Sequence, residues 1–194
     1  MKKRFDTKKF SILAILLALV VLLQLFLGQI RIGQTGFSVV LIPIVLGSIL
    51  LGPSAGCFLG FVFGFITLMA GIMGTDALTT LYFQSNPIGT VLICLGKGCA
   101  AGAVPGLLYK LLKDKNEFLS VVLASLSAPV LNTGLFILGS LIFMFPVIRE
   151  NYNPDVLYFL VILCAGVNFL VELAVNTVLI PVIWRVIKTF GKEK

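Results

Sequence analysis

Residues 87–112 read PIGTVLICLGKGCAAGAVPGLLYKLL, an apolar run with a single charged residue, Lys97, before its final turn. About 20 largely apolar residues are enough for a helix to cross a bilayer. Pro87 suits the first position of such a helix, where its missing N–H would have no partner anyway. The stretch therefore predicts a spanning helix from about Pro87 to Leu112. Lys97 then lies about 15 Å along the axis, near the midplane. An ionised group at that depth costs at least about 2.5–3.5 kcal/mol, and such residues face the bundle interior and mark ligand or ion paths. The plainer reading is an ion pair that only locks two helices together.

The rest of the chain has the same character. Of 194 residues 59% are hydrophobic and 12% charged, and the mean hydropathy is +1.10. Soluble domains average about 25% charged residues. Further apolar runs cover about residues 10–28, 37–51, 55–73, 118–145 and 156–184. With 87–112 they predict an all-α, polytopic membrane protein of six transmembrane helices, forming one integral membrane domain over 1–194. Residues 37–51 are short for a span and carry Pro43, and Gly52-Pro53 is a helix breaker. One broken helix in place of the second and third spans would leave five. Polar stretches at 29–36, 74–86 and 146–155 and the charged link 113–117 are expected as loops. The first run is longer than a signal-peptide core and lacks an A-x-A site, so it is expected to remain as a span.

Charge distribution favours six. Five basic residues fall in the first nine (Lys2, Lys3, Arg4, Lys8, Lys9), three at Lys110, Lys113 and Lys115, and four at Arg185, Lys188, Lys192 and Lys194. With six spans these 12 of 15 share one side, against Arg31 and Arg149 opposite. The positive-inside rule then places both termini in the cytoplasm. The net charge of +7 is thus an orientation signal, with possible contact to anionic head groups, and no nucleic acid is implied. Trp184, the only tryptophan, reads as an interface anchor.

Several chemistries are disfavoured. There is no histidine, so there is no Ser-His-Asp triad, Cys-His dyad or His-based zinc site. Cys57, Cys94, Cys99 and Cys164 lie in apolar runs without a C-x-x-C and read as packing residues. No catalytic residue, metal or cofactor is predicted. No G-x-x-x-x-G-K-[ST] occurs, so the chain carries no P-loop of its own.

The candidate site is polar and deep. Asn132 is central in the fifth apolar run, and Asn168, Glu172 and Asn176 recur every four residues in the sixth. That spacing makes one stripe drifting by only about 80°. Lys97, Asn132 and the stripe can converge between spans four, five and six, with Lys97 and Glu172 at matching depth. Arg31, Phe37, Tyr82, Asn86, Tyr152 and Tyr158 fall on loops or span ends above them and would supply the walls. A polar floor with aromatic walls suits a small polar solute.

Small residues mark close helix packing. Ser48, Gly52, Gly56, Gly60 and Gly64 repeat every four residues, as do Gly98, Gly102 and Gly106. Such stripes let backbones approach, most simply within the bundle. Ala14 and Ala18 form a shorter pair in the first run.

On these features the chain resembles the substrate-binding membrane subunit, or S component, of energy-coupling factor (ECF) vitamin transporters. The resemblance rests on chain length, six runs, Ala14-x-x-x-Ala18 and the segment VLIPIVLGSILLGPSAG at 40–56, which looks like that family's LGPxAG segment. Asn132-Thr133-Gly134-Leu135-Phe136 and the 40–64 region look most similar to pantothenate-type members. The resemblance implies a substrate-binding subunit of an ATP-driven importer in the bacterial cell membrane. It would bind a water-soluble vitamin at the outer face, through the first loop and spans four to six. It also implies docking, through Ala14 and Ala18, on a transmembrane coupling subunit joined to two cytosolic ATPase subunits. The main rival is a self-sufficient, ion-coupled secondary transporter of a small polar solute, with Glu172 carrying a proton. Against it, no repeat between the two halves is evident. An intramembrane enzyme lacks an acidic pair or histidine, and a purely structural protein leaves the polar cluster unexplained.

Overall fold

The computed structural model of the chain describes residues 7–27, 31–32, 35–36, 39–151 and 155–191. Its helices are α1 (Thr7–Leu27), α2 (Leu41–Leu51), α3 (Pro53–Ile72), α4 (Ala77–Ser85), α5 (Pro87–Leu112), α6 (Glu117–Phe143) and α7 (Phe145–Asn151). One turn of α8 (Val156–Tyr158) then runs through a π-helical stretch, Phe159–Gly166, into α9 (Val167–Gly191). Between α1 and α2, β1 (Arg31–Ile32) and β2 (Thr35–Gly36) form a small antiparallel hairpin pairing Arg31 with Gly36 and Ile32 with Thr35. The architecture is otherwise all-α. Among the described residues five helical stretches are long and apolar enough to cross a membrane: 7–26, 53–72, 87–112, 117–143 and 156–190. They carry exposed apolar side chains along their outer faces, among them Ile15, Phe26, Ile142, Leu170 and Val178. Water would not tolerate so continuous an apolar surface, and lipid does.

Short polar caps set the helix starts. Asp76 accepts a hydrogen bond from Thr79 N, Asn86 from Gly89 N, Asn116 from Leu119 N and Asp155 from Tyr158 N. Each satisfies an amide that the first turn leaves without a partner. One of these caps, Asp76, starts a helix in a stretch expected as a loop, since α4 lies within 74–86, and α7 runs into the stretch expected as a loop at 146–155.

The run expected as a second span contributes only α2. Its 11 residues measure about 17 Å, short of a hydrocarbon core of about 30 Å. The chain breaks at Gly52, where φ is 106°, a backbone conformation glycine adopts without strain, and α3 restarts with Pro53 in its first turn. α2 and α3 are therefore two elements, and α2 returns the chain to the end of the bundle where Lys9, Lys110 and Lys113 cluster around Gly52. The start of α1 and the end of α9 meet at this same basic end, with Lys8 Nζ 6.0 Å from the Phe190 ring centre. There Lys188 also bridges to Glu117 at 3.4 Å, and Trp184 packs edge-on to Phe118 at 5.5 Å.

The glycine stripes are spent inside the bundle. Gly56, Gly60 and Gly64 on α3 face the backbone of Gly102, Gly98 and Cys94 on α5 so closely that a Cβ at Gly60 would overlap the Gly98 carbonyl. Ser48 ties α2 to the same helix. Its Oγ donates to Gly102 O at 2.5 Å and accepts from Gly106 N at 2.8 Å, bridging two groups that a regular helix would bond to each other. Two apolar clusters result. One contains Val20, Val45, Phe63, Ala101, Ala128 and Ile183, and the other Leu78, Tyr82, Ile93, Met144, Phe159 and Cys164.

Candidate functional site

Three helices each place a polar residue between these clusters. On α5, Lys97 lies one turn from Ile93 in one cluster and one turn from Ala101 in the other. On α6, Asn132 stands between Ala128 and Phe136 in the same way. On α9, Glu172 lies between Cys164, in the preceding π-helical stretch, and Ile183. A spacing of four holds Lys97 and Asn132 to the face of their apolar neighbours, and Glu172 is itself buried.

Glu172 is the centre of the cluster and is 1% exposed. Its Oε2 accepts from Asn132 Nδ2 and its Oε1 from Asn168 Nδ2, both at 3.4 Å. Asn176 Nδ2 donates to the Glu172 backbone carbonyl at 2.9 Å. The side-chain carbonyl oxygens of Asn132, Asn168 and Asn176 are all buried and have no hydrogen-bond partner. Buried polar atoms are nearly always paired. Three unpaired acceptors beside one carboxylate give the site a marked capacity to accept hydrogen bonds from a solute's hydroxyl or amide groups.

Lys97 supplies the opposite charge. It is half-buried, and its Nζ lies 5.3 Å from the centre of the Phe136 ring and 5.7 Å from that of Phe63. An ammonium over ring faces gains roughly 0.5–2 kcal/mol without giving up its hydrogen-bonding protons to an oxygen. Matching depth left open whether Lys97 and Glu172 pair directly with each other. Lys97 influences Glu172 through space, yet the carboxylate is held by amides and the ammonium by rings, with no ion pair between them within 4.0 Å. Cation and anion remain separate functional groups.

The other expected residues divide. Tyr82, on α4, is buried and stacks on Phe136 at 6.4 Å with 13° between ring planes, so it joins the site's aromatic wall. Asn86 is occupied as the α5 cap: its Oδ1 takes Gly89 N, and its Nδ2 donates to Phe143 O at 3.5 Å. An Asn-Pro at a helix start has this structural use, and Asn86 does not reach the Glu172 cluster. Tyr158 is 49% exposed. Arg31 contributes backbone to β1, its side chain lies outside what the structure describes, and Phe37 and Tyr152 fall outside the described residues. Ala14 and Ala18 are both exposed on α1, which packs chiefly on α2 and α3. Among the described residues no three Cys, Asp or Glu side chains come together as metal ligands.

Phe63 and Phe136 were missed as site residues. A signal existed for each. Phe63 adjoins Gly64 on the stripe that faces α5, and Phe136 stands one turn beyond Asn132.

A family model described as "ECF transporter, substrate-specific component" matches residues 8–184. The "Pantothenic acid transporter PanT" of Lactococcus lactis subsp. cremoris (strain MG1363) is 30% identical over 153 residues, covering 73% of this chain and 76% of the relative. The chain belongs to the family of ECF transporter substrate-specific components. It is a multi-pass protein of the bacterial plasma membrane and the substrate-binding part of an importer whose energising module comprises a transmembrane subunit and ATPases.

Proposed function

We propose that Lys97, Asn132, Asn168, Glu172 and Asn176 form the binding site for a small carboxylate-bearing vitamin, and that this vitamin is pantothenate. The observation that carries the reading is the separation of Lys97 from Glu172, with three unpaired amide oxygens around the carboxylate. Pantothenate carries one carboxylate, one amide and two hydroxyl groups. Lys97 suits the carboxylate. Glu172 and the asparagine oxygens suit the hydroxyls and the amide N–H. Phe63, Phe136 and Tyr82 suit the branched aliphatic part between them. The relative named for pantothenic acid adds independent support.

In this reading the chain performs no chemistry on its ligand. Buried donors and acceptors reject analogues that lack the matching groups, because a partner left unpaired costs about 1–3 kcal/mol. The termini and the basic end of the bundle face the cytoplasm, as the positive-inside rule requires. Ala14 and Ala18, small and exposed on α1, offer a flat strip for a helix of the transmembrane coupling subunit, which two cytosolic ATPases drive.

Mass spectrometry of the solute released from freshly detergent-extracted protein tests the assignment. Pantothenate at near-stoichiometric amounts is expected from cells grown with it. A different vitamin recovered at that level would refute the choice of ligand.

A further inference from the structure

At the basic end a cavity of about 240 Å³ opens between α1, the α2–α3 break and the last turns of α5. Among the described residues Lys9, Lys110 and Lys113 line it, together with Tyr109, Ser48 and Gly52, and no acidic side chain does. Lys110 lies 13 positions beyond Lys97 on α5, about 20 Å along the axis, so this cavity is separate from the vitamin site.

Three lysines from two helices around one small cavity call for an explanation. An orientation signal needs only positive charge near the span ends. It does not require convergence on a recess, and Lys115 and Arg185, equally basic, do not line it. The volume falls below the ~300–1,000 Å³ of clefts that enclose drug-sized ligands, and it suits a phosphate with a short polyol. The walls alternate in character. Leu50, Leu51 and Ile49 give an apolar side and the lysines a polar one, while the Tyr109 hydroxyl donates to Glu117 Oε1 at 3.4 Å. Ser48 Oγ is already committed to α5, which fixes the floor. A recess that is cationic on one side, apolar on the other and set where spanning helices end matches the interfacial part of a lipid. Basic pockets between membrane helices on the cytoplasmic side bind anionic head groups.

We propose that this cavity is a specific site for the phosphate head group of an anionic glycerophospholipid of the phosphatidylglycerol class. Lys9, Lys110 and Lys113 bind the phosphate, and the Leu50–Leu51 wall receives the glycerol backbone and the start of the acyl chains. The lipid thereby bridges α1 to the α2–α3 break and α5 at the face turned to the cytoplasm. The inference depends on the orientation of the bundle and not on which vitamin the protein carries.

Native mass spectrometry and thermal unfolding of the purified full chain decide it. The probes are dioleoyl-phosphatidylglycerol, dioleoyl-phosphatidylcholine, and inorganic phosphate with glycerol 3-phosphate. Wild type should retain phosphatidylglycerol in preference to phosphatidylcholine and be stabilised by it. Each of Lys9→Gln, Lys110→Gln and Lys113→Gln should weaken that binding about fivefold, the equivalent of ~1 kcal/mol per basic residue near an anionic surface. The triple Gln variant should lose the preference, and the triple Arg variant should keep it. Lys115→Gln with Arg185→Gln should behave as wild type. If the triple Gln variant does not fold, Lys110→Gln with Lys113→Gln carries the same expectation. Equal retention of both lipids, or undiminished preference in the Gln variants, overturns the proposal. Equal stabilisation by phosphate or glycerol 3-phosphate overturns it too, in favour of a soluble-anion site. Vitamin affinity measured in parallel should be unchanged in the Gln variants.

Discussion

Asn132 on α6 and Glu172 on α9 are joined by an Nδ2–Oε2 hydrogen bond of 3.4 Å deep in the bundle, where Glu172 is 1% and Asn132 6% exposed. The bond is long for an amide donor to a carboxylate, whose N–H···O partners usually stand near 2.9–3.0 Å. It leaves Asn132 Oδ1 unpaired beside a charged group. The same residue thus holds the carboxylate in place and offers an acceptor of its own.

Asn132→Leu tests that double role. Hydrogen bonds to charged groups contribute about 1.5–3 kcal/mol, so vitamin affinity should fall about tenfold to a hundredfold. Calorimetric titration of the detergent-purified protein reads this. Asn132→Asp, which keeps the acceptor and adds a charge next to Glu172, should bind no better. Wild-type affinity in Asn132→Leu would exclude Asn132 from the site.

The α3–α5 contact predicts sharp steric intolerance. Gly60→Leu must displace the Gly98 backbone, and overpacking of this kind costs about 1–3 kcal/mol or more. Its melting temperature should drop, with loss of monodisperse protein in size-exclusion chromatography. Gly96→Ala on the same α5 meets no atom within 4 Å and should be neutral. Equal tolerance at both positions would contradict the close packing.

Ala14→Trp should separate binding from transport. The side chain at 14 is exposed on α1, which packs chiefly on α2 and α3, whereas Glu172 is buried on α9. Vitamin binding by the isolated chain should survive. Co-purification with the coupling subunit and uptake in cells should fall together. Unchanged uptake would remove the alanine strip from the docking surface.

Orientation is open to direct labelling. In a variant with the four native cysteines replaced, single cysteines at Thr35, Ser85 and Asn151 should react with an impermeant thiol reagent in whole cells, and one at Asn116 should not. The opposite pattern would invert the bundle.

What the sequence revealed, and what it hid, follows from what each residue competes with. Lys97, Asn132, Asn168, Glu172 and Asn176 stood out because a charge or amide in a lipid-spanning run has few reasons to be there. The structure brings the last four into one hydrogen-bonded group. Asn86 was ambiguous, since an asparagine before a proline serves a cap as well as a ligand, and here the cap holds it. Phe63 and Phe136 were hidden among 16 phenylalanines, most of which read equally well as lipid-facing. The π-helical stretch at Phe159–Gly166 left no trace because its residues are apolar or small throughout, so no periodicity distinguishes one winding from another. α2 was overextended for a related reason. Apolar composition continues upstream to Phe37, but the helix begins only at Leu41.

The central claim is that Lys97 and Glu172 serve a ligand and not each other. Vitamin binding should be titrated calorimetrically into wild type, Lys97→Met, Glu172→Gln and the double variant, with folding followed by thermal unfolding. Each single variant should lose at least about tenfold in pantothenate affinity, as expected for a lost hydrogen bond to a charged group. The double variant should fold and still bind weakly, because the groups that meet the ligand are gone. Full recovery of affinity in the double variant would mean a purely structural pair and would contradict the account.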